Sequence, residues 1–281
     1  DRSPSRGLGD VYKRQLLSVF LPVNDLNIAG MTMSVYNLIS QYILIIGSIV
    51  ALVFLAVAGN EKRAAAGLTR QNWKSAVLIV LAFVGIYIVR TVVSVAVQGV
   101  SDGSGMQYVK EWAAMFKNPM MWLNIAALPI NYFFVFIAFF GEEYGWRYYL
   151  QPVLQKRFGL RAGVIILGIV WGLWHIPDDL FYYTQTSGIQ MIFAQQITCI
   201  SLGIFFAYAY MKTQNIWVPV CLHYLNNNLI PIISGTFSAD VLENQTVSWK
   251  DLPVALVLNG LCFGFFLLAD VFKKKEVQEE E

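Results

Sequence analysis

A chain of 281 residues that is 57% hydrophobic, 15% aromatic and only 14% charged, with a mean hydropathy of +0.53, stands outside the soluble globular class, where about a quarter of residues are charged. Its formal charge of +2 comes entirely from the first fifteen residues, where Arg2, Arg6, Lys13 and Arg14 oppose Asp1 and Asp10, so the charge balance implies no nucleic-acid partner. Cys199, Cys221 and Cys262 lie far apart in apolar stretches, a pattern that fits neither a disulfide framework nor a zinc knuckle and reads as small buried hydrophobes.

Asp1 to Gln15 has no helical periodicity and no apolar h-region, so it is not a signal peptide and reads as a translated, non-native leader. The remainder, 16–281, reads as one transmembrane domain, with no repeat and no linker to mark a second. After Leu16 to Val23, an interfacial helix or the remnant of a span, apolar runs cover about Tyr36 to Ala58, Trp73 to Val97, Met120 to Phe140, Ala162 to Ile176, Ile189 to Tyr210, Trp217 to Ser234 and Pro253 to Phe272. The predicted fold is therefore all-α: a polytopic membrane helix bundle of about seven transmembrane helices.

If the link after the first run is cytoplasmic, that side collects Lys62, Arg63, Arg70, Lys74, Arg147, Lys156, Arg157, Arg161, Lys212 and Lys273 to Lys275, against Lys110, Lys117 and Lys250 opposite. The bias predicts a multi-pass protein of the cell membrane with its C-terminus in the cytoplasm. Arg90, inside the second run, reads as a side chain snorkelling to the outer interface. Gly168-xxx-Gly172 and Gly260-xxx-Gly264 read as places of close helix packing.

Charge inside an apolar run needs a reason, because Glu, His or Arg at membrane depth is costly and marks a functional site by default. Gly141-Glu142-Glu143-Tyr144-Gly145-Trp146-Arg147 puts two carboxylates and a guanidinium at the end of the third run. On a helix Glu143 and Arg147 stand at i and i+4 and suit an ion pair, while Glu142 is turned about 100° away and left unpaired, as a general base for water requires. The only two histidines, His175 and His223, also lie in apolar runs. His223 and Asn227 are again i and i+4, and both can donate to charge developing on a carbonyl oxygen. Asn226 and Asn228 cannot share that face, so at least one should bond to a neighbouring helix.

The third and fourth runs form a hairpin about the basic turn at Phe158-Gly159. Glu142 lies 16 residues before Phe158 and His175 lies 16 after Gly159, which sets both at similar depth, about 24 Å from the turn. Pro152 is expected to kink the first arm, and Pro177 to end the fourth run and leave Asp178 and Asp179 near the surface. Convergence of the four residues requires the third, fourth and sixth runs to pack as neighbours, helped by Gly168 and Gly172.

Glu142-Glu143-xxx-Arg147, Trp171-xxx-His175 and His223-xxx-Asn227, in that order on successive apolar runs, resemble the three motifs of the CPBP intramembrane proteases, which include the Rce1-type CAAX prenyl endopeptidases and bacterial Abi proteins. The resemblance covers about Asn131 to Pro231, with Trp171 where the family usually has Phe. It implies a peptide hydrolase acting on a membrane-associated or lipidated peptide or protein within the bilayer. Glu142 and His175 would activate water, His223 and Asn227 would stabilise the oxyanion, and Glu143 and Arg147 would support them. A zinc ion held by Glu142, His175 and His223 is the metal version of this scheme, but there is no HExxH, and the reading favours no obligatory metal. A transporter with a proton relay is the competing reading, set against the lack of inverted repeats. An inactive binding scaffold is the third.

Overall fold

The computed structural model describes residues 25–28, 31–34, 48–50, 52–54, 56–68, 70–181, 183–235, 241 and 244–273. The expected leader Asp1 to Gln15, the piece Leu16 to Val23 and most of the run Tyr36 to Ala58 lie outside the described residues. The fold is a helical membrane bundle, with one short antiparallel hairpin of β1 (Asp25–Ile28) and β2 (Met31–Ser34).

The helices follow as α1 (Asn60–Ala65), α2 (Trp73–Ser101), α3 (Gln107–Met115), α4 (Pro119–Glu143), α5 (Gln151–Phe158), α6 (Leu160–Trp174), α7 (Ile176–Phe181), α8 (Gly188–Thr213), α9 (Trp217–Ser234) and α10 (Asp251–Cys262). Three helical stretches, Trp73–Ser101, Pro119–Phe158 and Gly188–Thr213, are long and apolar enough to cross a membrane, and Leu160–Trp174 and Asp251–Cys262 are shorter apolar helices. The last predicted run does not stay α-helical: it tightens into 3-10 turns at Gly264–Leu268 and Asp270–Phe272.

Local chemistry sets these boundaries. Asn118 accepts a hydrogen bond from the Met120 amide, and Pro119 fills the first helical position, where its missing N–H costs nothing. The third run leaves the regular α-helix just before Pro152. It passes through a π-helical turn, Tyr144–Leu150, directly into α5, and Pro152 sits in the first turn of that helix, where the ring is tolerated. Gly159 ends α5 at φ +89°, the left-handed backbone a hairpin needs, and α6 folds back along α5.

Helix α8 is the hub, touching α2, α6, α7, α9 and α10. Its Leu202, Phe205, Phe206 and Ala209 pack with Phe83 and Tyr87 of α2, Trp171 of α6, Leu222 of α9 and Phe263 in one buried cluster. Gly168 and Gly172 do create a close approach, but toward α8 rather than α9: a Cβ on Gly168 would lie 2.6 Å from Ile200 Cα, and one on Gly172 would lie 2.6 Å from Gln196 Nε2. Helix α9 instead packs on α4, where Met121 and Leu128 meet Tyr224, Leu229, Ile232 and Ile233. At Gly260 a Cβ would meet nothing within 4 Å, so the second glycine pair is not a packing seam. Arg90 does not snorkel free: its Nε donates to Asn259 Oδ1 of α10 at 2.8 Å.

Candidate active site

The i, i+4 spacing of Glu143 and Arg147 produces a buried ion pair, Arg147 Nε to Glu143 Oε2 at 2.9 Å, with both side chains at 0% exposure. Arg147 also donates Nη1–H to the Gly203 carbonyl of α8 at 3.1 Å, and its guanidinium lies 5.5 Å from the ring centres of both Trp171 and Phe206. Such a pair in a dry site is favoured by further hydrogen bonds to its polar atoms, and Glu143 uses its second oxygen on another helix. His223 Nδ1–H donates to Glu143 Oε1 at 2.9 Å across eighty positions of sequence. Glu143 thus binds α4 to α9 and fixes the plane of the His223 ring, which is walled by Phe139, Trp171 and Phe206.

His175 is held by its own helix. Its Nδ1 lies 2.8 Å from the Trp171 carbonyl, one turn back, so Nδ1 carries the proton and Nε2 is left as the basic nitrogen. The indole of Trp171 packs against both imidazoles, T-shaped with His175 at 5.8 Å and with His223 at 5.4 Å. Both histidines and Asn227 line one cavity of about 290 Å³, together with Gln195, Cys199 and Asn226. The adjacent amides divide as their spacing suggests: Asn228 Oδ1 accepts from Asn131 of α4 at 3.2 Å, while Asn226 and Asn227 bond to each other.

Glu142 does not line that cavity. It is exposed, and its rotation away from Glu143 leaves it without a hydrogen bond among the described residues, though it stands near enough for its charge to act on both His223 and Cys199. The metal scheme fares worse. Among the described residues no three His, Cys, Asp or Glu side chains gather in a group that could hold a metal ion, and Glu142, the carboxylate of that scheme, lies off the cavity that His175 and His223 line. The residues present do not fit a three-ligand zinc site.

Two comparisons with known proteins bear on this geometry. Residues 124–229 match the family described as Type II CAAX prenyl endopeptidase Rce1-like. Residues 124–229 thus resemble an Rce1-like core. Over 125 residues the chain is 28% identical to CAAX prenyl protease 2 of Methanococcus maripaludis, an alignment that takes in 41% of this chain and 45% of that protein. The chain thus spans just under half the length of this relative. No solved structure matches.

The Rce1-like core holds all six motif residues, and one carboxylate that sequence reasoning misplaced. Asp179 is fully buried, not at the surface, because α7 continues the helical path past Pro177 and lays its acidic face on α8. Neither oxygen of Asp179 has a partner among the described residues, and burial, with Asp178 beside it, pushes its carboxyl up to about 7. Cys199, unremarkable in sequence, brings its sulfur 3.8 Å from His175 Nδ1. Tyr87, which nothing in the sequence marked, and Arg90, read there as a snorkelling charge, lie outside the Rce1-like core, in α2.

Proposed function

We propose that the chain is an intramembrane endopeptidase that hydrolyses a peptide bond of a membrane-associated or lipidated substrate. The observation that carries this reading is the placement of two imidazoles and a carboxamide on one cavity inside an Rce1-like core. In the proposed reaction, water held at His175 Nε2 loses a proton to Glu142, which substrate binding draws to the cavity mouth, as catalytic contacts commonly tighten only in the complex. The resulting hydroxide adds to the scissile carbonyl. His223 Nε2–H and the Asn227 amide donate to the oxyanion, and collapse expels the amine, which takes the proton back from the Glu142–His175 pair.

Glu143 and Arg147 support the oxyanion side. With Nδ1–H committed to Glu143, the imidazolium of His223 has a matched carboxylate and can aim Nε2–H into the cavity. Once Glu142 is drawn to the cavity, the two carboxylates balance Arg147 and that imidazolium, which suits a low-dielectric site. The substrate class follows the relative named a CAAX prenyl protease: a lipid-modified or membrane-bound peptide, with the bilayer as its route of entry. The excess of basic residues on one side supports a multi-pass orientation with Glu142 toward the cytoplasmic half and the C-terminus inside.

The test compares membrane peptides from cells carrying the wild type and Glu142→Gln, alongside cleavage of a quenched fluorescent farnesylated peptide by purified protein. Precursor accumulation in the variant, or cleavage lost with Glu142→Gln, supports the assignment. Identical peptide pools and no cleavage by wild type would leave a binding scaffold or transporter.

A further inference from the structure

The amide of Asn227 is ambiguous as an oxyanion donor. A carboxamide has one acceptor oxygen and one donor NH2, and turning it by 180° exchanges repulsion for stabilisation. Something must fix which end faces the cavity. The structure contains a hydrogen-bond chain that does so, and it begins outside the Rce1-like core.

Tyr87 of α2 is 5% exposed, packed edge-on against Phe83 at 5.0 Å and tilted against Phe263 at 5.0 Å, so its ring has one orientation. Its hydroxyl donates to Asn226 Oδ1 at 2.5 Å. With its oxygen taken, Asn226 has only its NH2 to offer onward, and Nδ2 donates to Asn227 Oδ1 at 2.9 Å. That occupies the Asn227 oxygen and leaves its own NH2 as the free end. The Arg90 guanidinium, 5.8 Å from the Tyr87 ring centre, draws electron density from the phenol and strengthens its hydroxyl as a donor. Arg90 is itself anchored by Asn259 Oδ1 of α10. The direction of the chain is set at the end where a cation sits.

We propose that Tyr87 is a positioning residue that, through Asn226, fixes the Asn227 carboxamide with its NH2 toward the cavity shared by His175 and His223. The catalytic part of this inference rests on the proposed protease reading; the orientation of the amide does not. A purely structural Tyr87 would act through ring packing, which Tyr87→Phe keeps.

The experiment therefore has two arms, both on full-length protein in detergent micelles. In the first, selectively 15N-asparagine-labelled protein is compared with Tyr87→Phe and with the volume-conserving Asn226→Leu, the Asn227 side-chain NH2 signal being assigned by its loss in Asn227→Asp. Both variants should move that signal in the same way, with unchanged melting temperature for Tyr87→Phe. An Asn227 signal that ignores both substitutions overturns the proposal. In the second arm, cleavage of the farnesylated peptide by Tyr87→Phe should show kcat reduced about tenfold with KM within twofold, a smaller loss than the roughly 100-fold or more from deleting an oxyanion donor outright. In an Asn227→Ala background, Tyr87→Phe should cost nothing further, because the group it orients is gone. An equal loss in both backgrounds overturns the positioning role. If wild type cleaves nothing, the protease reading falls, and the first arm still decides the orientation.

Discussion

Replacing Glu143 by Gln tests the centre of the site most sharply, because the two substitutions Glu142→Gln and Glu143→Gln are chemically identical and one position apart. Glu143 gives one oxygen to Arg147 Nε and the other to His223 Nδ1, each at 2.9 Å, at 0% exposure. A glutamine has one acceptor oxygen for these two donors, so one of them faces an NH2 group and loses its bond. The guanidinium also loses its counter-charge at a position where Arg147 Nη2 already has no partner among the described residues. Breaking a buried pair from one side costs about 3–5 kcal/mol, which for a chain of this size lowers the melting temperature by roughly 10 °C. Glu142→Gln, at an exposed and unbonded position, should stay within about 0.5 kcal/mol of wild type. Glu143→Leu combined with Arg147→Met removes both charges and should recover much of the loss. Tryptophan-fluorescence melts in detergent, backed by limited proteolysis, measure all four proteins. Equal melting of the two glutamine variants, or a double variant less stable than Glu143→Gln, would refute the reasoning.

Gly168→Ala should destabilise by about 1–3 kcal/mol in the same melts, since the new methyl meets the α8 backbone at Ile200 and Cys199, whereas Gly260→Ala, facing open space, should not. Asp179 binds its proton more tightly folded than unfolded, so wild-type stability should fall as pH rises from about 4 to 7, by on the order of 2–4 kcal/mol, and stay low above; Asp179→Asn should flatten that profile, and an unchanged slope would locate the titration elsewhere. For orientation, an impermeant thiol reagent should reach Lys250→Cys from outside intact cells and Glu281→Cys only after lysis; the reverse pattern would invert the topology.

Relations within one helix were legible in the sequence, because the 3.6-residue period fixes them whatever the helix packs against. That period alone pairs Glu143 with Arg147, stacks Asn227 one turn from His223, and turns Glu142 away from its neighbour. The apolar runs likewise determined a helical membrane bundle, since backbone polar groups in a bilayer must bond within their own segment. Relations between helices depend on how far each is rotated about its own axis, and the close fit of side chains at the contacts decides that. Only the tertiary structure shows that Glu143 reaches His223, that Gly168 and Gly172 face α8 rather than α9, and that Asp179 is buried beyond Pro177. The same holds for Tyr87: an aromatic in an apolar run reads as core, and its hydroxyl acquires a role only because α2 packs against α9 at the height of Asn226.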